Sequence, residues 1–312
     1  MTIQQKLVFF VGPTAVGKSA LAMQLAIKHN AVIFNADSVQ VYTRLNIGAA
    51  KPSAQERQAV QHELFDIVNP PDTLTAGRYH TLARAEIEKW WRRKPIFVVG
   101  GSGFYLQALE KGMFSAPAAN PQIVAKWTEY LTKCGQQDLH AELVCRDPVY
   151  AAKIPDADTY RIIRALTLFE ETGKSMRMIQ DEFDEIKKQK SMPWPHLKIG
   201  LSLSRAQLRD RVRARVQAMR TAGLEQEVAD LVKDGFSDWG PMSSVGYKET
   251  LQYLKDQVSA TQWLENIETS TMQLAKKQMT WFKRDPSIFW FDAQLEWSLA
   301  LAKVEDHLLT QD

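Results

Sequence analysis

Cysteine is nearly absent: Cys134 and Cys145 are the only two in 312 residues. Two cysteines cannot build a disulfide framework or a zinc site, and reduced thiols suit a cytosolic protein. There is no apolar run long enough to cross a bilayer, and no N-terminal signal or transit pattern. Internal repeats and low-complexity tracts are missing too, which excludes solenoids and arrays. Neither sign of charge dominates. The 39 Lys and Arg against 36 Asp and Glu leave +3, too little to mark a nucleic-acid partner but compatible with local basic patches. With 45% hydrophobic residues the chain can fill a sizeable core, as one large domain or two smaller ones. The expected setting is cytoplasmic, with no membrane partner.

What is present begins with Gly12-Pro13-Thr14-Ala15-Val16-Gly17-Lys18-Ser19. An apolar run, Leu7 to Val11, precedes it, and a helix-like run from Ala20 follows. Strand, glycine loop and helix is the context of a phosphate-binding P-loop. The glycines let backbone amides turn towards phosphate oxygens, and the helix start adds its positive dipole end. Lys18 supplies a mobile charge, and the Ser19 hydroxyl is the candidate Mg²⁺ ligand. The motif does not say which phosphate compound binds.

Ala31 to Phe34 reads as a second buried strand and runs into Asp37-Ser38-Val39-Gln40. Ligands of open α/β sheets gather at the carboxyl ends of strands. If this strand neighbours the first, Asp37 stands beside the P-loop as a general base, a water-mediated Mg²⁺ partner, or both. The alternative is that it only caps the next turn. His62 to Val68 reads as a short or edge strand, and Thr75 as the cap of a helix running to Trp90-Trp91. Pro95 to Val99 is a strand that ends in Gly100-Gly101-Ser102-Gly103, a second glycine turn at the same sheet edge.

From Ser115-Ala116-Pro117 the character changes to helical segments with no convincing strand, and Met192-Pro193-Trp194-Pro195 closes this block. Asp158 or Thr159 caps a helix in which Arg161 and Arg164 share one face while Ile162, Ile163 and Leu166 point to a core. Surface salt bridging is the competing reading for these arginines. Leu197 to Leu203 returns to strand, and the following helix carries Arg209, Arg211, Arg213, Arg215 and Arg220, with Arg211 and Arg215 sharing a face at i, i+4. Helix arginines are usually solvated, yet this density near a sheet end suits a pyrophosphate clamp or a lid. Trp281 is read as core, and Ser287 to Asp292 as the last strand. Five mostly continuous apolar strands separated by helices predict a doubly wound parallel sheet of the P-loop NTPase-like α/β class, interrupted by an all-helical insertion. The expected division is 1–115 with 195–312 as catalytic core and 116–194 as insertion.

The chain resembles the bacterial tRNA dimethylallyltransferases, also called tRNA isopentenyltransferases. The resemblance spans Leu7 to about Asp292 and rests on an ordered set of blocks. These are the P-loop, Ala36 to Tyr42, Ile47-Gly48-Ala49-Ala50-Lys51-Pro52, Gly100 to Tyr105, Arg161 to Leu166, Gly246-Tyr247-Lys248-Glu249, and Leu274 to Phe282. It departs from the family at Ser102, where threonine is usual, at Tyr160, where glutamine is common, and at Val124, where an arginine is often found. The zinc finger of eukaryotic members is absent, in line with the cysteine count. The resemblance implies transfer of a dimethylallyl group from dimethylallyl diphosphate to N6 of the adenosine just 3′ of a tRNA anticodon. It implies a diphosphate in the P-loop with Mg²⁺ on Ser19, Asp37 as the base, and Ser38, Val39 and Gln40 against the flipped adenine. Ser102 and the segment Tyr160, Arg161, Ile162, Ile163 and Arg164 would face tRNA, with the insertion gripping the anticodon arm. A monomer is expected. A small-metabolite kinase using ATP is the competing enzyme reading, and a non-catalytic RNA-binding switch the competing binding one.

Overall fold

A computed structural model describes residues 6–112, 119–187 and 192–309. It divides into two compact units, Met1–Leu109 with Pro193–Asp312, and Glu110–Met192.

The first unit is built on six strands: β1 (Leu7–Val11), β2 (Val32–Asn35), β3 (His62–Glu63), β4 (Ile96–Val99), β5 (His196–Ser202) and β6 (Ile288–Asp292). All pair in parallel, in the order β3-β2-β4-β1-β5-β6. Every residue of β1, β2 and β4 is buried. Such strands are covered on both faces by helices, so their sequences read as unbroken apolar runs rather than alternating ones. Leu21, Leu25 and Ala26 of the helix Lys18–His29 pack on this sheet with Phe10, Phe97 and Ile199. Thr75 caps the helix Ala76–Trp90, its hydroxyl accepting from the Arg78 amide.

The condition on strand adjacency is not met. β1 and β2 are not neighbours; β4 lies between them, with Val99 opposite both Phe10 and Asn35. The three carboxyl ends therefore stand in a row, and the Gly100 turn sits between the P-loop and Asp37. At Gly100 the backbones come so close that a Cβ would fall on the Ala36 carbonyl. Gly100→Ala is expected to force the two strand ends apart and to cost about 1–3 kcal/mol, as other overpacked sites do. Urea denaturation checks this, and an unchanged midpoint would mean the close approach relaxes without cost.

The second unit is helical, with Pro121–Cys134, Gln136–Arg146, Thr159–Thr172 and Met176–Lys187 as its longer elements. Trp127, Leu139, Leu143, Ile162 and Leu166 form its core. Asp158 caps the helix Thr159–Thr172 by accepting from the Arg161 amide. The Ser115-Ala116-Pro117 stretch and the expected boundary at 115/116 lie outside the described residues. Trp194 is buried in the first unit near Trp91, with Arg84 over its ring. Among the described residues no helix is long and apolar enough to cross a membrane.

Candidate active site

The P-loop turns at the end of β1, and Gly17 takes φ 107° as the residue before the helix Lys18–His29. Thr14, Ala15, Gly17, Lys18 and Ser19 line a cavity of 310 Å³. Pro13 and Val16 form the loop's buried back, where each carbonyl has a cation: Lys18 Nζ donates to Pro13 O at 2.6 Å, and Arg211 donates to Val16 O at 2.8 Å. Gly12 is buried against β5.

Arg215 lines the cavity beside Lys18, whereas Arg211 braces the loop from outside. The i, i+4 pair thus divides its work, which corrects the expectation of two arginines on the phosphate. Arg209 and Arg213, on another face of the same helix, are turned to Glu268 instead.

Asp37 stands at the end of β2. Its Oδ1 accepts from the amides of Val39 (2.9 Å) and Gln40 (3.4 Å), so the turn-capping reading is realised. Among the described residues no hydrogen bond falls on Oδ2. The backbone of Asp37 is clamped by Asn35, whose fully buried side chain accepts from the Asp37 amide at 2.8 Å and donates to its carbonyl at 3.1 Å. Asn35 also donates to Leu64 O, and its own carbonyl accepts from Tyr79 Oη. A buried amide with every strong bond made is a rigid support.

A second cavity, of 490 Å³, is lined by Ser38, Val39, Ser102, Phe104, Lys277 and Trp281 among others. Thr14, Asp37, Ala49, Gly101, Arg215 and Gln278 line both cavities. Asp37 is the only carboxylate common to the two walls. Gln40 lines the first cavity, not the second, and its amide donates to Ala49 O and Ala50 O. The Ser102 amide donates to Ala36 O, and its hydroxyl accepts from the Tyr105 amide at 3.5 Å. Trp281 is not core: it is half-buried on the second cavity, its ring 4.9 Å from that of Phe104, and Phe282 takes the buried position.

Gln278 carries no mark in the sequence beyond its block. It accepts from the Thr14 amide at 2.8 Å and donates to Gly101 O at 3.0 Å, tying the two glycine turns together. Lys51 is a second such residue, held by Tyr42 O, Asn46 Oδ1 and Asp66 on the wall of the first cavity.

Burial pushes the Lys18 ammonium down to about 7; Asp37 opposes this shift and Arg215 adds to it. Burial also lowers Arg215, against the pull of Asp37. An anion entering the cavity would restore what water no longer supplies to these cations.

In the helical unit Tyr160 is 80% exposed, and Arg161 is largely exposed and paired with Asp158 at 3.3 Å. Arg164 is half-buried. Ile162 is a correction: it is fully buried in the core of its unit and cannot touch RNA, and Ile163 packs against the same core. The helical period, which turned both isoleucines inward, decides over the resemblance.

A parallel sheet with a P-loop-like glycine turn at β1, an acid at β2 and a helical second unit defines a P-loop-like α/β protein with a helical domain. Residues 40–285 match the model of the IPP transferase family. The tRNA dimethylallyltransferase of Bdellovibrio bacteriovorus is 49% identical over 290 residues, 93% of this chain and 94% of that protein. The full-length tRNA isopentenylpyrophosphate transferase structure from Bacillus halodurans is similar at TM-score 0.69 and 30% identity, over 98% of this chain and 97% of that one. A eukaryotic dimethylallyltransferase acting on tRNA is similar at TM-score 0.79 and 27% identity, over 97% of this chain and 78% of that one. The chain belongs to the IPP transferase family.

Proposed function

We propose that this chain transfers the dimethylallyl group of dimethylallyl diphosphate to N6 of the adenosine just 3′ of a tRNA anticodon, releasing diphosphate. The observation that carries this reading is Asp37 on the common wall of two cavities, one cationic and phosphate-loop-lined, the other aromatic-edged. The first suits the diphosphate of the donor. The second suits a base taken out of its stack, as enzymes acting on bases require. N6 attacks the allylic carbon, and the carbon–oxygen bond to diphosphate breaks with its electron pair leaving on oxygen. Lys18, Arg215 and the loop amides meet that charge. The amine proton passes to Asp37 Oδ2, while Oδ1 stays on the turn amides.

Mg²⁺ fits as an ion carried on the diphosphate. Ser19 lines the cavity, and among the described residues no group of three or more His, Cys, Asp or Glu forms a cage. That suits a hard cation that keeps waters and phosphate oxygens as ligands. When bound, it would supply neutralising charge to the leaving group. One chain lines both cavities, so a monomer suffices, and the cytoplasm, where tRNA is found, is the expected place of work.

The test is incubation of tRNA with labelled dimethylallyl diphosphate or labelled ATP, followed by mass spectrometry of the nucleosides. Label from the prenyl donor on adenosine supports the reading. Label from ATP alone, or from neither, overturns it.

We assign anticodon-arm binding to the helical unit through Tyr160 and Arg161, the exposed members of their segment. Arg161→Ala is expected to weaken tRNA binding without changing donor affinity. If its contact is a phosphate, the slope of log affinity against log salt flattens by roughly one unit. Filter binding over a salt series checks this, and an unchanged slope would return Arg161 to its pair with Asp158.

A further inference from the structure

The block Gly246-Tyr247-Lys248-Glu249 has no part in the chemistry above, yet Tyr247 is fully buried beside the first unit's cavities. The segment 46–49 runs without strand or helix, and Gly48 and Ala49 in it are buried, so no ladder satisfies its amides and the buried ones need partners. Two side chains supply them. Glu227, on the helix Leu224–Lys233, accepts from the amides of Asn46 (3.0 Å), Ile47 (2.8 Å) and Gly48 (3.2 Å). Tyr247 Oη accepts from the Ala49 amide at 3.2 Å and donates to Glu227 at 2.7 Å. Four successive amides thus converge on one carboxylate–phenol pair, an anion nest filled by the protein's own carboxylate. The Tyr247 ring also fills the space a Cβ on residue 48 would need, 2.6 Å away.

What this nest holds is the cavity wall. Ala49, Ala50, Lys51 and Pro52 line the donor cavity, and Gly48 and Ala49 line the acceptor cavity. Gln40, whose backbone amide is one of the two that Asp37 caps, donates through its side chain to Ala49 O and Ala50 O. Displacement of the segment would therefore reach the base-side turn and the donor side together.

We infer that Glu227 and Tyr247 are positioning residues that fix segment 46–50 as the wall shared by donor and acceptor; the inference rests on the transfer reaction proposed above. Neither side chain lines either cavity. They act through the backbone they hold, and a misplacement of about 1 Å at such a distance from the chemistry can cost about 10²-fold in rate. Burial raises the Tyr247 phenol well above its ordinary value, with Glu227 adding to the shift, so the hydroxyl remains a donor at any working pH.

Tyr247→Phe tests this with the least disturbance, since the ring stays against Gly48 and only the hydroxyl goes. Glu227→Gln keeps length while setting an NH₂ against the nest's own donors. Expected are a near-parental melting temperature for Tyr247→Phe and faster hydrogen exchange at amides 46–49. The rate constant kcat should fall about tenfold for Tyr247→Phe and about 10²-fold for Glu227→Gln, with KM for dimethylallyl diphosphate raised by a smaller factor than kcat falls, because the segment lines the donor cavity while the P-loop keeps its own contacts. The double variant should lose less than the product of the two, because both act through one segment. An active parent whose two variants keep kcat within about twofold overturns the inference alone. So does a fall in kcat with unchanged exchange at 46–49. A parent that transfers no prenyl group overturns the reaction itself, a result read before any variant is made.

Discussion

Asp37→Asn is expected to turn over about 10²–10⁴ times more slowly than the parent, the usual reach of a positioned general base. The acceptor explains the size: an exocyclic adenine amine has its lone pair delocalised into the ring, so attack gains from proton removal as the bond forms. The structure makes this the informative substitution. Asparagine retains an Oδ1 to accept from Val39 and Gln40, so the turn survives, while Oδ2, the oxygen left for the proton, becomes an NH₂. Asp37→Ala would lose both at once. One confounding effect has a known sign. Asp37 raises the Lys18 ammonium, so its neutralisation lets Lys18 fall further and weakens the donor site near neutral pH. Rates followed downwards in pH reduce that contribution, since Lys18 becomes charged in both proteins as pH falls. A deficit that persists along that series belongs to the base. If Asp37→Asn matches the parent while Asp37→Ala does not, Asp37 orients the adenine and the proton goes elsewhere.

The P-loop and Asp37 were legible because each is local. A glycine loop between an apolar run and a helix, or an acid just past a strand, is written in fewer than ten consecutive residues. Strand order was not: apolar runs state that strands are buried and parallel, not that β4 inserts between β1 and β2. That order depends on how helices cover the two faces. Gln278 was hidden for a related reason. It lies 264 residues from the Thr14 amide it accepts from, and a glutamine on a helix has no pattern that announces a distant partner. Ile162 shows the opposite case. Its place in the helical period indicated a core residue, and its exposure of 0% agrees; the resemblance, which concerns a segment and not each side chain, pointed the other way. Arg211 and Arg215 share a face by spacing, yet only Arg215 lines the cavity, while Arg211 is bonded to Val16 O. Spacing sets the direction of a side chain from its helix, but not which backbone carbonyl or cavity it meets across the sheet edge.

Diphosphate binding is expected to take up a proton at Lys18, and Lys18→Met to abolish both the uptake and most turnover. The free ammonium sits at about 7, held down first by burial. Below that pH it is charged and the site is ready for an anion. Above it, binding must first recharge the amine, so affinity falls by up to tenfold per pH unit, from about 7 until the raised value of the complex is reached. The sign is fixed: tighter binding at lower pH, looser at higher. The diphosphate does not supply this trend, because its last ionisation, near pH 6 as in phosphate monoesters, is nearly complete by about pH 8. Calorimetry of dimethylallyl diphosphate without RNA, in buffers of differing ionisation enthalpy at about pH 8, should report close to one proton taken up. In Lys18→Met the count should drop to near zero and the affinity should lose its pH dependence, while turnover falls about 10²–10³-fold, the cost of removing one preorganised contact to developing charge. Arg215 and the loop amides would still hold the donor, so binding weakens but persists. Uptake that survives in Lys18→Met would mean another group titrates on binding, and near-normal turnover in that variant would leave the glycine loop as a structural turn.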